Sequence, residues 1–231
     1  MGAAPTSPAV ILLDALGTLV ALEPPAPALR SELAERFGLE VSERQAASAI
    51  AAEIAYYRAH LDEGRDEAGV RALRRRCAEV LRGALPAPVP ELDPLLDALL
   101  ASLRFSAFPD VAPALESARS RGQRLVVVSN WDVSLHGVLQ ALELEPLLDA
   151  ILTSAEAGAR KPAPAIFAQA LALVDASPAD AIHVGDSLDE DVAGARAAGI
   201  DPVLIRRDGG TGVPGVRTIS SLADLTDSDR S

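Results

Sequence analysis

Short apolar runs punctuate the chain, and each ends on polar or glycine-containing residues: AVILL at 9–13, RLVVVS at 124–129, AIHVGD at 181–186 and PVLIR at 202–206, with AILTS at 150–154 as a fifth. They are short, mainly apolar runs rich in β-branched residues, which is the pattern of strands covered on both faces of a parallel sheet. Between them apolar positions recur with helical spacing over Val111–Arg121, Val133–Leu142, Ala163–Leu173 and Asp189–Ala198. Strand and helix in alternation predict an α/β fold built on a doubly wound parallel sheet.

One interval breaks the alternation. From residue 22 to 105 the pattern offers only helical stretches rich in Ala, Leu, Glu and Arg, namely Pro27–Phe37, Ser42–His60, Glu67–Gly83 and Leu92–Leu103. Roughly eighty residues are too many for an ordinary crossover and enough for a small helical bundle. The expected organisation is therefore a sheet-bearing core, residues 1–21 and 106–231, interrupted by an all-α insertion, residues 22–105. PAPVPELDP at 86–94 reads as a joint between two of its helices. Towards the C-terminus, SSLADL at 220–225 reads as a final capped helix, after which the last few residues are expected to fray.

Composition narrows the ligand. A net charge of −12 argues against a broad electrostatic footprint for nucleic acid or an anionic membrane, so any anionic ligand must be bound locally. Cys77 is the single cysteine, which excludes an intramolecular disulfide and fits a reducing cytosol, with a buried, inert thiol expected. The segment MGAAPTSPAV lacks a basic n-region, and no apolar run reaches the roughly 18–20 residues of a membrane span, so a soluble, cytoplasmic protein is expected. Of 21 basic residues 20 are arginine; Lys161 is the only lysine and Asn130 the only asparagine. Both exceptions stand where the chemistry is expected.

In an open parallel sheet, ligands bind outside the carboxyl ends of the strands. Standing there are Asp14, then Ser129 and Asn130, then Lys161 in the loop beyond the AILTS run, then Gly185-Asp186 followed by Asp191. Singly each has an ordinary use, as a turn or helix cap or a solvated charge. Together they set carboxylates, a hydroxyl and an ammonium on one sheet edge, a donor set for a hard divalent cation and an oxyanion.

The order and spacing resemble the haloacid dehalogenase superfamily of aspartate-nucleophile hydrolases. DALGTLV is similar to the first family motif, VVVSN to the second, Lys161-Pro162 to the third and VGDSLDEDVAGARAAG to the fourth. The likeness spans a Rossmann-like core, and the insertion resembles the helical C1 cap of phosphoglycolate phosphatase-like members. It implies that Asp14 is the nucleophile and a Mg²⁺ ligand, that Ser129, Asn130 and Lys161 hold a transferring phosphoryl group, and that Asp186 completes the metal site with Asp191 one shell out. The implied substrate is a small phosphorylated metabolite.

The chain departs from that pattern at Leu16, where family phosphatases carry the aspartate that protonates the leaving group. Leucine can offer only its backbone carbonyl to Mg²⁺. Three readings remain: a hydrolase with a replacement acid or an undemanding leaving group; a degenerate member that binds a ligand or partner without turnover; and a metal-independent 2-haloacid dehalogenase, disfavoured by Gly185-Asp186. Phosphonate cleavage needs a lysine in the cap, and this one has none. Elsewhere, Trp131 and Asp132 suit either a pocket mouth or helix packing and an N-cap. Arg71, Arg74, Arg75, Arg76 and Arg82 are expected to pair with Glu67 and Glu79, and no catalytic role is assigned to His60, His136 or His183.

Overall fold

The computed structural model describes residues 8–225. In chain order the elements are β1 (Val10–Leu13), β2 (Val20–Leu22), α1 (Pro25–Phe37), α2 (Glu43–His60), α3 (Glu67–Ala84), α4 (Leu92–Ser102), β3 (Phe105–Ala107), α5 (Val111–Ser120), β4 (Arg124–Ser129), α6 (Ser134–Ala141), β5 (Ala150–Thr153), α7 (Ser154–Ala157), α8 (Pro164–Ala172), β6 (Ala181–Gly185), α9 (Ala193–Ala197), β7 (Asp201–Ile205) and β8 (Arg217–Ile219). The end of the tail, expected to fray, lies outside the described residues.

Six strands form one sheet in the order β5-β4-β1-β6-β7-β8. Every neighbouring pair is parallel. The central strand, β1, has Leu13 level with Val127 of β4 and with Val184 of β6. Its alternate residues Val10 and Leu12 join Val126, Val128, Phe167 and Ala181 in an apolar cluster on one face. Ile11 and Leu13 are equally buried on the other, which is why the run shows no polar face in sequence. β2 and β3 form a separate two-stranded sheet.

Two compact units result. One comprises Leu22–Ser106 together with Asp132–Ser134, and the other holds the remaining described residues. The helical unit has its own core, in which Leu29, Leu33, Leu73, Leu81, Leu95 and Leu99 are fully buried. Truncating one such leucine to alanine typically costs about 2–5 kcal/mol. Ser42 starts α2 with a reciprocal capping box to Gln45, and Asp66 caps α3 through the Gly69 N–H at 2.7 Å. Of the α3 arginines, Arg71 pairs with Glu67 as expected, while Arg74, Arg75 and Arg76 pair with Asp132, Asp93 and Glu63 rather than with Glu79. Cys77 is buried, and burial with the nearby Glu53 charge pushes its thiol up to about 12, so it is inert.

Three short strands and one turn depart from the sequence reading. β2, β3 and β8 are three residues each, too short to carry a periodic signal. SSLADL makes a single 3₁₀ turn, Leu222–Asp224, with Ser221 as its cap. The helix expected over Asp189–Ala198 opens as a π-helix, Leu188–Val192, before becoming α9. No helix among the described residues is long and apolar enough to cross a membrane.

Candidate active site

The apolar run of β1 ends at Asp14, whose N–H donates to the Val184 carbonyl at 2.9 Å and so extends the ladder by one residue. A tight turn follows. The N–H groups of Thr18, Leu19 and Val20 all donate to the Ala15 carbonyl, and Gly17 N–H donates to Val20. Gly17 is required there twice over: its φ is +80°, and a Cβ would fall 2.2 Å from Asp186 Oδ2. Leu16 is half-buried in this turn, and no backbone N–H of the described residues donates to its carbonyl. Arg207 fixes the turn from outside, donating to the Thr18 carbonyl at 2.5 Å and to both Asp110 oxygens at 2.7 Å.

Asp14 Oδ1 accepts two hydrogen bonds, from Ser129 Oγ at 2.9 Å and from Lys161 Nζ at 2.6 Å. Lys161 is 3% exposed and donates equally to Asp191 Oδ1 at 2.6 Å. Its backbone is held as firmly as its ammonium. Asn130 Oδ1 accepts from Lys161 N–H at 2.8 Å while Asn130 Nδ2 donates to the Lys161 carbonyl at 3.0 Å. Trp131 is buried beyond it, and Asp132 accepts from Ser134 N–H at 2.8 Å at the start of α6, as an N-cap would.

β6 ends at Gly185, where a Cβ would lie 2.1 Å from Asp191 Cγ. Only glycine lets that carboxylate approach. Ser187 closes the loop by accepting from Glu190 N–H, and its own N–H donates to Asp191 Oδ2 at 3.0 Å. His183 Nε2 is 2.8 Å from Asp191 Oδ1. Asp186, partly exposed, brings the third acid: one oxygen each from Asp14, Asp186 and Asp191 lies within 4.8 Å of the others.

Crowding three acids around one ammonium sets their protonation. Burial pushes Asp14 up to about 6, with Lys161 opposing and the Asp191 and Asp186 charges adding to the rise. Asp186 is raised by burial and by Asp191. Burial also works against the Asp191 carboxylate, yet Lys161 and the His183 hydrogen bond hold it well below the usual range. Lys161 stays above the ordinary lysine range despite burial, because Asp14 and Asp191 both face it. The residues thus fit a divalent cation: two carboxylates are strained by burial and like charge, the donors are hard oxygens, and a further positive charge relieves both.

Asp14, Ser129, Lys161, Asp186 and Asp191 are brought together, Asn130 joins through the Lys161 backbone, and Leu16 sits in the turn between Asp14 and Gly17. Sequence reasoning missed His183 and Arg207. Alternation within β6 was the available signal for His183, since Ala181, His183 and Gly185 share a face and Gly185 ends at the site. Arg207 had none, for it bonds to Thr18 across 189 residues.

A family model of haloacid dehalogenase-like hydrolases matches residues 8–199. The chain is 44% identical over 91 residues to haloacid dehalogenase-like hydrolase domain-containing protein 3 of Bos taurus, covering 39% of this chain and 36% of that protein. It is 36% identical over 100 residues to the ribulose-1,5-bisphosphate 5-phosphatase of Halopiger xanaduensis, covering 43% and 42%. The match thus spans less than half the length of either curated relative. Among solved structures, the HAD phosphatase from Thermococcus onnurineus superposes with a TM-score of 0.66 at 24% identity over 94% of this chain and 95% of that one, a likeness of fold.

Proposed function

The chain belongs to the haloacid dehalogenase-like hydrolases, and on that premise we propose that it is a phosphatase of small phosphorylated metabolites that works through Asp14 with Mg²⁺. The observation that carries this reading is the pairing of one carboxylate oxygen, Asp14 Oδ1, with both a hydroxyl and an ammonium beside two further acids. Relatives named as phosphatases add support.

In this reading an Asp14 oxygen attacks phosphorus in line with the leaving oxygen, the P–O bond to the leaving group breaks, and the phosphoryl group rests on Asp14 as an acyl phosphate. Ser129 Oγ–H and the Lys161 ammonium, which hold Asp14 Oδ1 in the resting protein, turn their donors to the phosphoryl oxygens. Water then cleaves the acyl phosphate, releasing inorganic phosphate and restoring the carboxylate. A divalent cation held by Asp14, Asp186 and the Leu16 carbonyl, with Asp191 behind them, would neutralise charge shared by nucleophile and phosphate.

Leu16 decides which substrates suit. A leucine transfers no proton, and general acid help is worth about 10²–10⁴-fold, so turnover favours acyl or aryl phosphates whose leaving groups depart as stable anions. The same residue favours a second reading, a degenerate member that binds ligand without turnover. Hydrolysis of p-nitrophenyl phosphate and acetyl phosphate, with and without Mg²⁺, separates them when wild type is compared with Asp14→Asn. Mg²⁺-dependent turnover lost in the variant supports the phosphatase; rates equal to the variant's background on both substrates leave the binding reading.

A further inference from the structure

His183 lies in the middle of β6, fully buried, on the face packed by the apolar cluster around Phe167, whose ring meets it edge-on at 5.0 Å. An apolar side chain would fill that place at lower cost, because a buried polar group without its hydrogen bonds loses its hydration for nothing. One ring nitrogen bears that cost: Nδ1 has no partner among the described residues. The other, Nε2, is 2.8 Å from Asp191 Oδ1, the oxygen that also holds Lys161 Nζ at 2.6 Å. A carboxylate opposite Nε2 places the ring proton there, so His183 donates through Nε2 and leaves Nδ1 bare.

We propose that His183 is a positioning residue that acts through Asp191, donating from Nε2 so that the carboxylate stays turned with Oδ1 towards Lys161 and keeps the ammonium against Asp14. The second Asp191 oxygen is already committed to Ser187 N–H at 3.0 Å. Without the imidazole, Oδ1 keeps Lys161 as its only donor, and the carboxylate loses one of the three hydrogen bonds that set its rotation about the Cβ–Cγ bond. That this arrangement serves phosphoryl transfer rests on the phosphatase reading; the hydrogen-bond order itself does not.

Because Lys161 is the only lysine in the chain, its acetylation by acetic anhydride, read by peptide mass spectrometry on the folded full chain, reports the hold on its ammonium without any turnover. Glutamine sets an amide nitrogen where His carries Nε2, and asparagine sets one where it carries Nδ1. With a hydrogen bond to a charged group lost, Lys161 is expected to react about tenfold faster in His183→Leu and His183→Asn than in wild type, with His183→Gln restored to the wild-type rate. Equal rates in His183→Gln and His183→Asn overturn the proposal, and so does labelling that merely tracks each variant's melting temperature. The Gln and Asn variants decide the matter even if His183→Leu loses its fold. If labelling follows the expected order while no variant, nor wild type, hydrolyses either p-nitrophenyl phosphate or acetyl phosphate, the phosphatase reading fails and the positioning role stands.

Discussion

Asn130 and Lys161, the only asparagine and the only lysine in the chain, hold each other: the Asn130 amide accepts from the Lys161 N–H and donates to the Lys161 carbonyl, at 2.8 and 3.0 Å. Neither aspartate nor alanine can do both. Aspartate would turn an acceptor oxygen on the carbonyl, and alanine would leave both main-chain groups unmet. The consequence is a lysine whose backbone is fixed independently of its ammonium.

Loss of that clamp should therefore act on turnover. In Asn130→Ala and Asn130→Asp, kcat on an aryl phosphate is expected to fall about 10- to 100-fold, the weight of two part-buried hydrogen bonds, and the melting temperature to fall by about 2–4 °C for each kcal/mol lost. Steady-state kinetics beside thermal melts check it, and unchanged kcat in both variants contradicts it.

Leu16→Asp places a carboxylate two residues after Asp14, where leucine can transfer no proton. It is expected to raise hydrolysis of alkyl phosphates by about tenfold or more while leaving acetyl phosphate nearly unchanged, since only the poorer leaving group needs the proton. A set of phosphate esters graded by leaving-group pKa measures this directly; a uniform effect across the set would mean that proton transfer is not what Leu16 lacks.

Divalent cation binding should carry a pH signature. Asp14 is raised to about 6 in the folded protein, above the carboxylate's ordinary value, so its stabilising contribution is full at low pH and is lost as pH rises through about 6. A cation replaces the proton and recovers what ionisation costs. Competition at Asp14 weakens the affinity about tenfold from pH 7 to pH 5, so Mg²⁺ at a hundredfold excess over its pH 7 Kd should stabilise the protein by about 3 kcal/mol at pH 7 and by about half of that at pH 5. Melting curves in Mg²⁺ and in EDTA across that range are the measurement, and a pH-independent Mg²⁺ effect counts against Asp14 as a ligand.

Asp110 titrates in the opposite sense. Burial works against its charge, but hydrogen bonds from Arg207, Ser221 Oγ and Leu222 N–H hold its pKa below the ordinary aspartate value. Its contribution is present above that value and lost as pH falls through the lowered one. Asp110→Asn is expected to cost about 1–3 kcal/mol at neutral pH, with the difference from wild type shrinking below about pH 4. Urea melts at pH 7 and pH 3.5 test the direction, and a gap that widens on acidification refutes it.

Much of this was legible in the sequence, for physical reasons that differ by element. β1, β4, β5, β6 and β7 announced themselves because strands covered on both faces are mainly apolar, and the acids stood out because a charge at the end of such a run needs a use. β2, β3 and β8 did not, since three residues of strand look like three residues of anything. Asp14, Ser129, Lys161, Asp186 and Asp191 were found by position relative to strands. The roles of Asn130 and His183 were not, because each depends on which atom a side chain meets: a lysine backbone 31 residues away, and a carboxylate eight residues on, across a π-turn.

At Gly17 any side chain collides with Asp186, and at Gly185 any side chain collides with Asp191, so neither can vary without dismantling the acid cluster. Leu16 lies half-buried between Asp14 and Gly17, and no backbone N–H of the described residues donates to its carbonyl. Two glycines from distant parts of the chain thus make the room in which like charges meet: the acid cluster depends on side chains that are missing as much as on those that are present.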